Sequence, residues 1–217
     1  DLLKMKGYRF EGDMVNEVKE IPVPDHLKET AERFRKELIE KIVEHDEHLM
    51  NAYFDGKEIE ITELKKVLRR AVIANEIFPV FCGSALKNKG VQLVLDAVAD
   101  YLPSPLDMPP IKGIDPKTGD EIIRRPSDDE SFSALAFKLQ ADPFVGMLTF
   151  FRVYSGIAEA GTYIYNSTTL EKERLGRIVR LQADKREEVK KVYAGEIAAA
   201  VGLKGVKTSH TLCDENN

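Results

Sequence analysis

An α+β segment followed by an all-β antiparallel barrel is the fold class this 217-residue sequence predicts. Apolar residues recur at helical spacing up to about Tyr101 and alternate with a period of two beyond Phe132. Between the two regimes, Pro103, Pro105, Pro109, Pro110 and Pro116 interrupt any regular element and read as a domain linker, continued by Gly119-Asp120 and Ser127-Asp128-Asp129-Glu130. Glycines at 146, 156, 161, 176, 195, 202 and 205 then punctuate the strand region at intervals typical of a small sheet that closes on itself and so removes its own edges.

The elements follow in order. Leu2 to Glu11 and Val18 to Ile21 read as short strands around a polar loop at Gly12-Asp13. From Pro24, which suits a first helical turn, Leu27, Ala31, Phe34, Leu38, Ile42, His45 and Leu49 make one long amphipathic stripe. Thr62 is placed to cap a second helix whose buried stripe is Leu64, Val67, Leu68, Ala71 and Val72. Ile77 to Phe81 is apolar on both faces, as a strand of a covered sheet is, and runs through a small-residue turn into a helix ending at Tyr101. Ser84 or Asn88 is positioned to cap that helix. In the second region Leu135, Phe137 and Leu139 share one strand face, while Leu148, Phe150, Arg152 and Tyr154 alternate with Thr149, Phe151 and Val153.

Composition narrows the function classes. A chain of this length buries roughly 70% of its unfolded surface and needs no staples. Cys82 and Cys213 lie far apart, form no metal-ligand spacing, and read as reduced thiols of a cytoplasmic protein. No apolar run approaches the roughly 20 residues of a membrane helix, and Asp1-Leu2-Leu3-Lys4-Met5-Lys6 has no signal-peptide pattern. The ends, Asp1 and Asp214-Glu215-Asn216-Asn217, read as cuts in a longer chain. A formal charge of −5 argues against a surface that is basic all over, so any RNA contact is expected to be local.

The motif with the most chemistry is Gly83-Ser84-Ala85, at the carboxyl end of the apolar stretch, where ligands of open α/β sheets gather. Small side chains there let a flat base approach the backbone, whose N–H groups can donate to a purine carbonyl oxygen. Taken locally, the same residues also suit any tight turn between a strand and a helix.

Gly83-Ser84-Ala85-Leu86-Lys87-Asn88-Lys89-Gly90-Val91, Leu95-Asp96-Ala97-Val98 and Asp100-Tyr101-Leu102-Pro103-Ser104-Pro105 resemble bacterial-type elongation factor G. Ser133-Ala134-Leu135-Ala136-Phe137-Lys138, Asp142-Pro143-Phe144-Val145-Gly146, Leu148 to Gly156, Gly176-Arg177-Ile178 and Tyr193 to Lys204 resemble that family's second domain. The resemblance spans essentially the whole chain. It implies that 1–75 is the subdomain inserted in a P-loop GTPase domain, 76–102 that domain's last strand and helix, 103–130 a linker, and 131–217 the translation-factor-type β-barrel, domain II. It further implies a parent that binds GTP with Mg2+ and couples hydrolysis to movement of tRNA and mRNA on the ribosome. In that scheme Gly83, Ser84 and Ala85 line the guanine pocket, and the barrel leans as a monomer on small-subunit RNA.

Neither the phosphate loop, Gly-x-x-x-x-Gly-Lys-Ser/Thr, nor Asn-Lys-x-Asp is in the sequence; Asn88-Lys89-Gly90-Val91 has no acidic fourth residue. By resemblance, both precede Asp1 in the family. The 217 residues alone are therefore expected to be catalytically inactive and to hold no cofactor. The architecture is shared by ribosome-protection proteins for tetracycline resistance, recycling paralogues and GTPase release factors. A stand-alone module binding RNA or protein through its barrel is the rival of another class.

Arg174, Arg177, Arg180, Lys185, Arg186, Lys190 and Lys191 form the barrel's most basic stretch, diluted by Glu173, Asp184, Glu187 and Glu188. On charge alone this is a solvated face as readily as a binding surface; resemblance favours phosphate contacts by Arg174, Arg177, Arg180, Lys185 and Arg186. His45 and His48 share a helix face with acidic neighbours, but lack the His-Glu-x-x-His pattern and a third ligand, so they read as boundary and surface residues. Phe144, after Asp142-Pro143, reads as an anchor into the barrel. The four histidines are scattered, and no Ser/His/Asp or Cys/His set is convincing. One departure stands out: Ser209-His210 occupies the place of a Gly-Asp pair common in relatives before Thr-Leu-Cys-Asp, which removes an easy left-handed turn.

Overall fold

The computed structural model describes residues 1–12, 17–115 and 118–215. Asp13, Pro116, Asn216 and Asn217, named above, lie outside them. The chain divides into two compact units, Asp1–Pro103 and Ser104–Asn217.

In the first unit β1 (Lys6–Glu11) and β2 (Glu17–Pro22) pair antiparallel, Lys6 opposite Pro22 and Glu11 opposite Glu17. Ion pairs cross this ladder from Lys6 to Glu20 and from Lys19 to Glu11. The single long helix expected from Pro24 to Leu49 is instead two, α1 (Lys28–Val43) and α2 (Glu47–Phe54). Asp46 makes the break: its carboxylate accepts the Leu49 N–H at 3.1 Å and an Arg70 N–H at 2.7 Å, satisfying an orphan donor at the start of α2. The apolar stripe is buried only in its second half, since Leu27 and Phe34 stay exposed while Ile42 and Leu49 enter the core.

Helix α3 (Ile61–Ile73) starts from Glu60, so Thr62 lies inside the helix and does not cap it. Of its expected stripe Leu64, Val67, Leu68 and Ala71 are buried and Val72 is half-buried; Leu64, Val67 and Leu68 lie in the core that also holds Leu3, Ile42, Val43, Leu49, Ala97 and Tyr101. The last two come from α4 (Val91–Tyr101), also tied to α3 by Lys65–Asp100 at 2.5 Å. The strand expected at Ile77–Phe81 does not form. A parallel strand needs neighbours on both sides. Among the described residues the only ladder in this unit is β1–β2. Phe78 and Val80 are consequently 72% and 88% exposed.

The second unit begins with a hairpin where a structureless linker was expected. β3 (Ile111–Ile114) and β4 (Glu121–Arg124) pair with Ile114 opposite Glu121. Next come β5 (Ser133–Asp142), β6 (Gly146–Ser155), β7 (Ala158–Glu159), β8 (Thr162–Asn166), β9 (Glu171–Leu175), β10 (Arg177–Gln182), β11 (Lys185–Val189), β12 (Lys191–Val192), β13 (Ile197–Val201) and β14 (Thr211–Cys213). Eight of them form one antiparallel sheet, in the order β11-β10-β13-β6-β5-β14-β8-β9, and β7 pairs with β12.

One core gathers Ala136, Phe151, Val153, Ala158, Ile164, Leu175, Ile178, Val192, Ala200 and Leu212, with the half-buried Val189 of β11 packed against it, so every barrel strand reaches it. That is the signature of a sheet wrapped around its own interior. A smaller cluster, Leu148, Val179 and Ala199, packs on the opposite face of β6, β10 and β13. Gly156 permits the turn after β6: at φ +67°, a Cβ there would lie 2.6 Å from the Glu130 oxygen and the Phe132 nitrogen.

At the departure from the family pattern, Ser209 does take the left-handed conformation, with φ +73°, despite its side chain. The buried Asn166 uses Oδ1 to accept the N–H groups of Thr168 and Thr169, which fixes its Nδ2 as the donor toward His210 Nδ1 at 3.0 Å. Lys207 N–H reaches the same nitrogen at 3.3 Å. The His210 Nδ1 thus accepts from both groups and ties the loop to β8.

Candidate guanine turn and nucleic-acid interface

Gly83, Ser84 and Ala85 open a closed turn. Ser84 N–H donates to the Lys89 carbonyl and Lys89 N–H to the Ser84 carbonyl, each at 2.9 Å, and Asn88 N–H donates to the Ala85 carbonyl at 3.1 Å. Two glycines allow this closure. A Cβ on Gly83 would lie 2.9 Å from the Lys89 oxygen, and Gly90, at φ +83°, would place one 3.2 Å from the Cys82 oxygen. Gly90 is also the N-cap of α4, which has no side-chain cap; neither Ser84 nor Asn88 takes that part.

The Ser84 N–H is committed to Lys89, while Gly83 and Ala85 are exposed. The turn therefore presents a small-residue rim that could border one edge of a base. The phosphate loop is not in the sequence, and the described residues contain no group of three His, Cys, Asp or Glu able to hold a metal. His45 is tied to Glu76, with Nδ1 to Oε2 at 3.0 Å, and His48 is exposed.

The five basic residues are not one free patch. Arg177 on β10 makes two hydrogen bonds to Glu188 on β11, at 3.2 and 3.0 Å. Arg180 pairs with Glu196 at 2.8 Å and Arg186 with Asp142 at 2.6 Å. Arg174 and Lys185 are exposed, with no ion pair among the described residues. Cross-strand register creates the first of these pairs: Ile178 opposite Val189 and Val179 opposite Glu188 bring Arg177 alongside the acidic run of β11. β11 is also an edge of the large sheet, and its Lys185-Arg186-Glu187-Glu188 run is the charged edge that discourages pairing with another chain.

Phe144 is not an anchor into the barrel; it stands 84% exposed at the tip of the β5–β6 hairpin. Asp142 Oδ1 accepts the N–H groups of Phe144 and Val145 at 2.9 and 3.1 Å. Those two bonds, the first foremost, together with Arg186, hold the Asp142 carboxyl below the usual carboxylate range. Asp46 is held down likewise, first by Arg70 and then by the Leu49 N–H. The sequence signal for the tip was present in Asp-Pro-Phe followed by Gly146, a turn in which the aspartate bonds its own backbone. The partner Arg186, 44 residues on, was not legible.

Comparison with known proteins agrees with this geometry. Residues 131–215 match the family Elongation factor G domain 2. A crystal structure of a protein from Thermus thermophilus superposes with a TM-score of 0.76 and 28% identity, over 99% of this chain and 29% of that one. The chain thus spans less than a third of the length of that solved chain. Residues 131–215 thus carry the second domain of elongation factor G, and the fold of the chain is like that of the Thermus thermophilus protein.

Proposed function

We propose that this chain is the middle portion of a ribosomal translocase, a cytoplasmic GTPase that couples GTP hydrolysis to movement of tRNA and mRNA. The observation that carries the reading is the domain 2 match at 131–215, joined to a structural likeness that extends through 99% of the chain. In this reading the rim of Gly83, Ser84 and Ala85 borders the guanine base, and GTP and Mg2+ are held by parts of the parent outside these residues.

The barrel docks on small-subunit ribosomal RNA. Arg174 and Lys185 contact phosphates directly; Arg177 and Arg180 do so by exchanging their carboxylate partners, while Arg186 keeps its bond to Asp142. Exposed pairs of this kind are worth only about 0–1 kcal/mol each, so exchange is inexpensive. No helix of the described residues is long and apolar enough to cross a membrane.

Filter binding of the chain to purified small ribosomal subunits at two salt concentrations tests the docking. Weak attachment that falls as salt rises is expected, because each phosphate contact releases counterions. Binding that ignores salt, or none at all, ends the RNA reading. Calorimetry with GTP should show no micromolar binding, since the phosphate loop is missing from the sequence.

A further inference from the structure

At the β5–β6 tip a large apolar ring is held out in water by groups that are otherwise well satisfied. The Asp142 side chain is only 7% exposed. One of its oxygens fixes the turn through the N–H groups of Phe144 and Val145; the other accepts Arg186 Nη2 at 2.6 Å. Gly146, at φ +85°, completes the turn. The Arg186 guanidinium carbon lies 5.7 Å from the centroid of the Phe144 ring, within cation–π range. Val145 packs back on the cluster of Leu148 and Val179, so Phe144 projects from the tip without it. The ring is thus preorganised by a buried carboxylate and an arginine from a second hairpin.

We infer that Phe144, backed by Arg186, is a stacking platform for an unstacked nucleobase of RNA, with the exposed Lys185 of the same β10–β11 hairpin serving a neighbouring phosphate. The inference rests on the reading of the barrel as an RNA-docking domain and names the group that does the docking. The chemistry selects the partner: an exposed π-face beside cationic side chains suits a ligand that is planar and anionic. A pocket in a protein partner would be satisfied by any apolar side chain at 144; a base needs an aromatic one.

That difference is the test. The sequence contains no tryptophan, so Phe144→Trp places a single reporter at the tip. Titrating this variant of the 217-residue chain with protein-free small-subunit ribosomal RNA is expected to quench its emission. In filter binding, Phe144→Trp should hold RNA as the parent does, while Phe144→Ala and Phe144→Leu should each lose roughly 10-fold with the salt slope unchanged. Lys185→Ala should instead lower that slope by about 0.7. Leucine binding as well as phenylalanine, or alanine leaving affinity untouched, overturns the stacking platform while salt-dependent docking by the parent survives. Failure of the parent to bind RNA at all overturns both.

Discussion

The two units differ in how completely each buries its own apolar surface. In Ser104–Asn217, the barrel strands feed a single core, and the edge strand β11, which reaches it only through the half-buried Val189, is otherwise charged. In Asp1–Pro103, α1 to α4 share a core, yet Phe78, Val80 and Leu86 remain 72%, 88% and 97% exposed. A sheet wrapped around itself supplies most of its own neighbours. A strand meant for a covered parallel sheet does not: 77–81 forms no ladder among the described residues, and only Ile77 packs against the core while Phe78 and Val80 stay exposed. Under the proposed function, these exposed residues of 76–102 are where the rest of a GTPase domain would pack.

The largest expected effects come from cores, where the units should behave alike. Phe151 and Leu64 are both fully buried, one in each core. Phe151→Ala is expected to cost about 3–5 kcal/mol and Leu64→Ala about 2–5 kcal/mol, from lost transfer energy and a residual cavity. Urea unfolding followed by circular dichroism would measure both. A loss well under about 1 kcal/mol for Leu64→Ala would mean that the first unit has no defined core, and the comparison would fail on that side.

Next in size is Gly156→Ala, which sharpens the point about closure. Its Cβ would overlap backbone atoms that cannot move without shifting the start of β5, and its φ is left-handed. A loss of at least about 2 kcal/mol is expected, confined to the barrel's signals in hydrogen exchange. An unchanged melting curve would show that the segment before β5 is not fixed against the turn.

What could be read beforehand divides along the same line. The barrel was legible because Gly146, Gly156, Gly161, Gly195 and Gly202 take positive φ, though Gly176 and Gly205 do not, and because its faces alternate locally. The break between α1 and α2 was not read, since Leu49 keeps the stripe spacing across Asp46 although Asp46 is a good N-cap residue. The β3–β4 hairpin hid in a proline-rich stretch, where Gly119 at φ +80° was the available turn signal. The candidate site was legible as residue types only. Whether an arginine is open or paired depends on register, and nothing within Arg177 to Arg186 announces Glu196 or Asp142 as partners.

Acid should act on both units through the two aspartates that fix local turns. Asp46 and Asp142 are each held below their unfolded range, so each contributes stability that is complete above the unfolded value, about 3.9. That contribution is lost as pH falls through the lower folded value. Both α2 and the β5–β6 tip are therefore expected to loosen below about pH 4. Asp46→Asn and Asp142→Asn should remove the corresponding part of the pH dependence, as read by unfolding at about pH 3 and about pH 6. A steeper acid loss in either variant than in the parent would contradict the assignment.

The smallest expected effect bears most directly on the comparison. Val80→Lys and Leu95→Glu exchange exposed apolar side chains of the first unit for charges. Each should shift stability by no more than about 0.5 kcal/mol, since neither removes a buried contact. The same exchanges should reduce self-association at high protein concentration in sedimentation, because they interrupt an apolar surface. A comparable charge at Val153, fully buried in the barrel, would meet no such tolerance. If Leu95→Glu instead cost about 2 kcal/mol or more, the face of α4 would be covered in solution. The first unit would then be as self-sufficient as the barrel, and the idea that it awaits the rest of a GTPase domain would lose its physical basis.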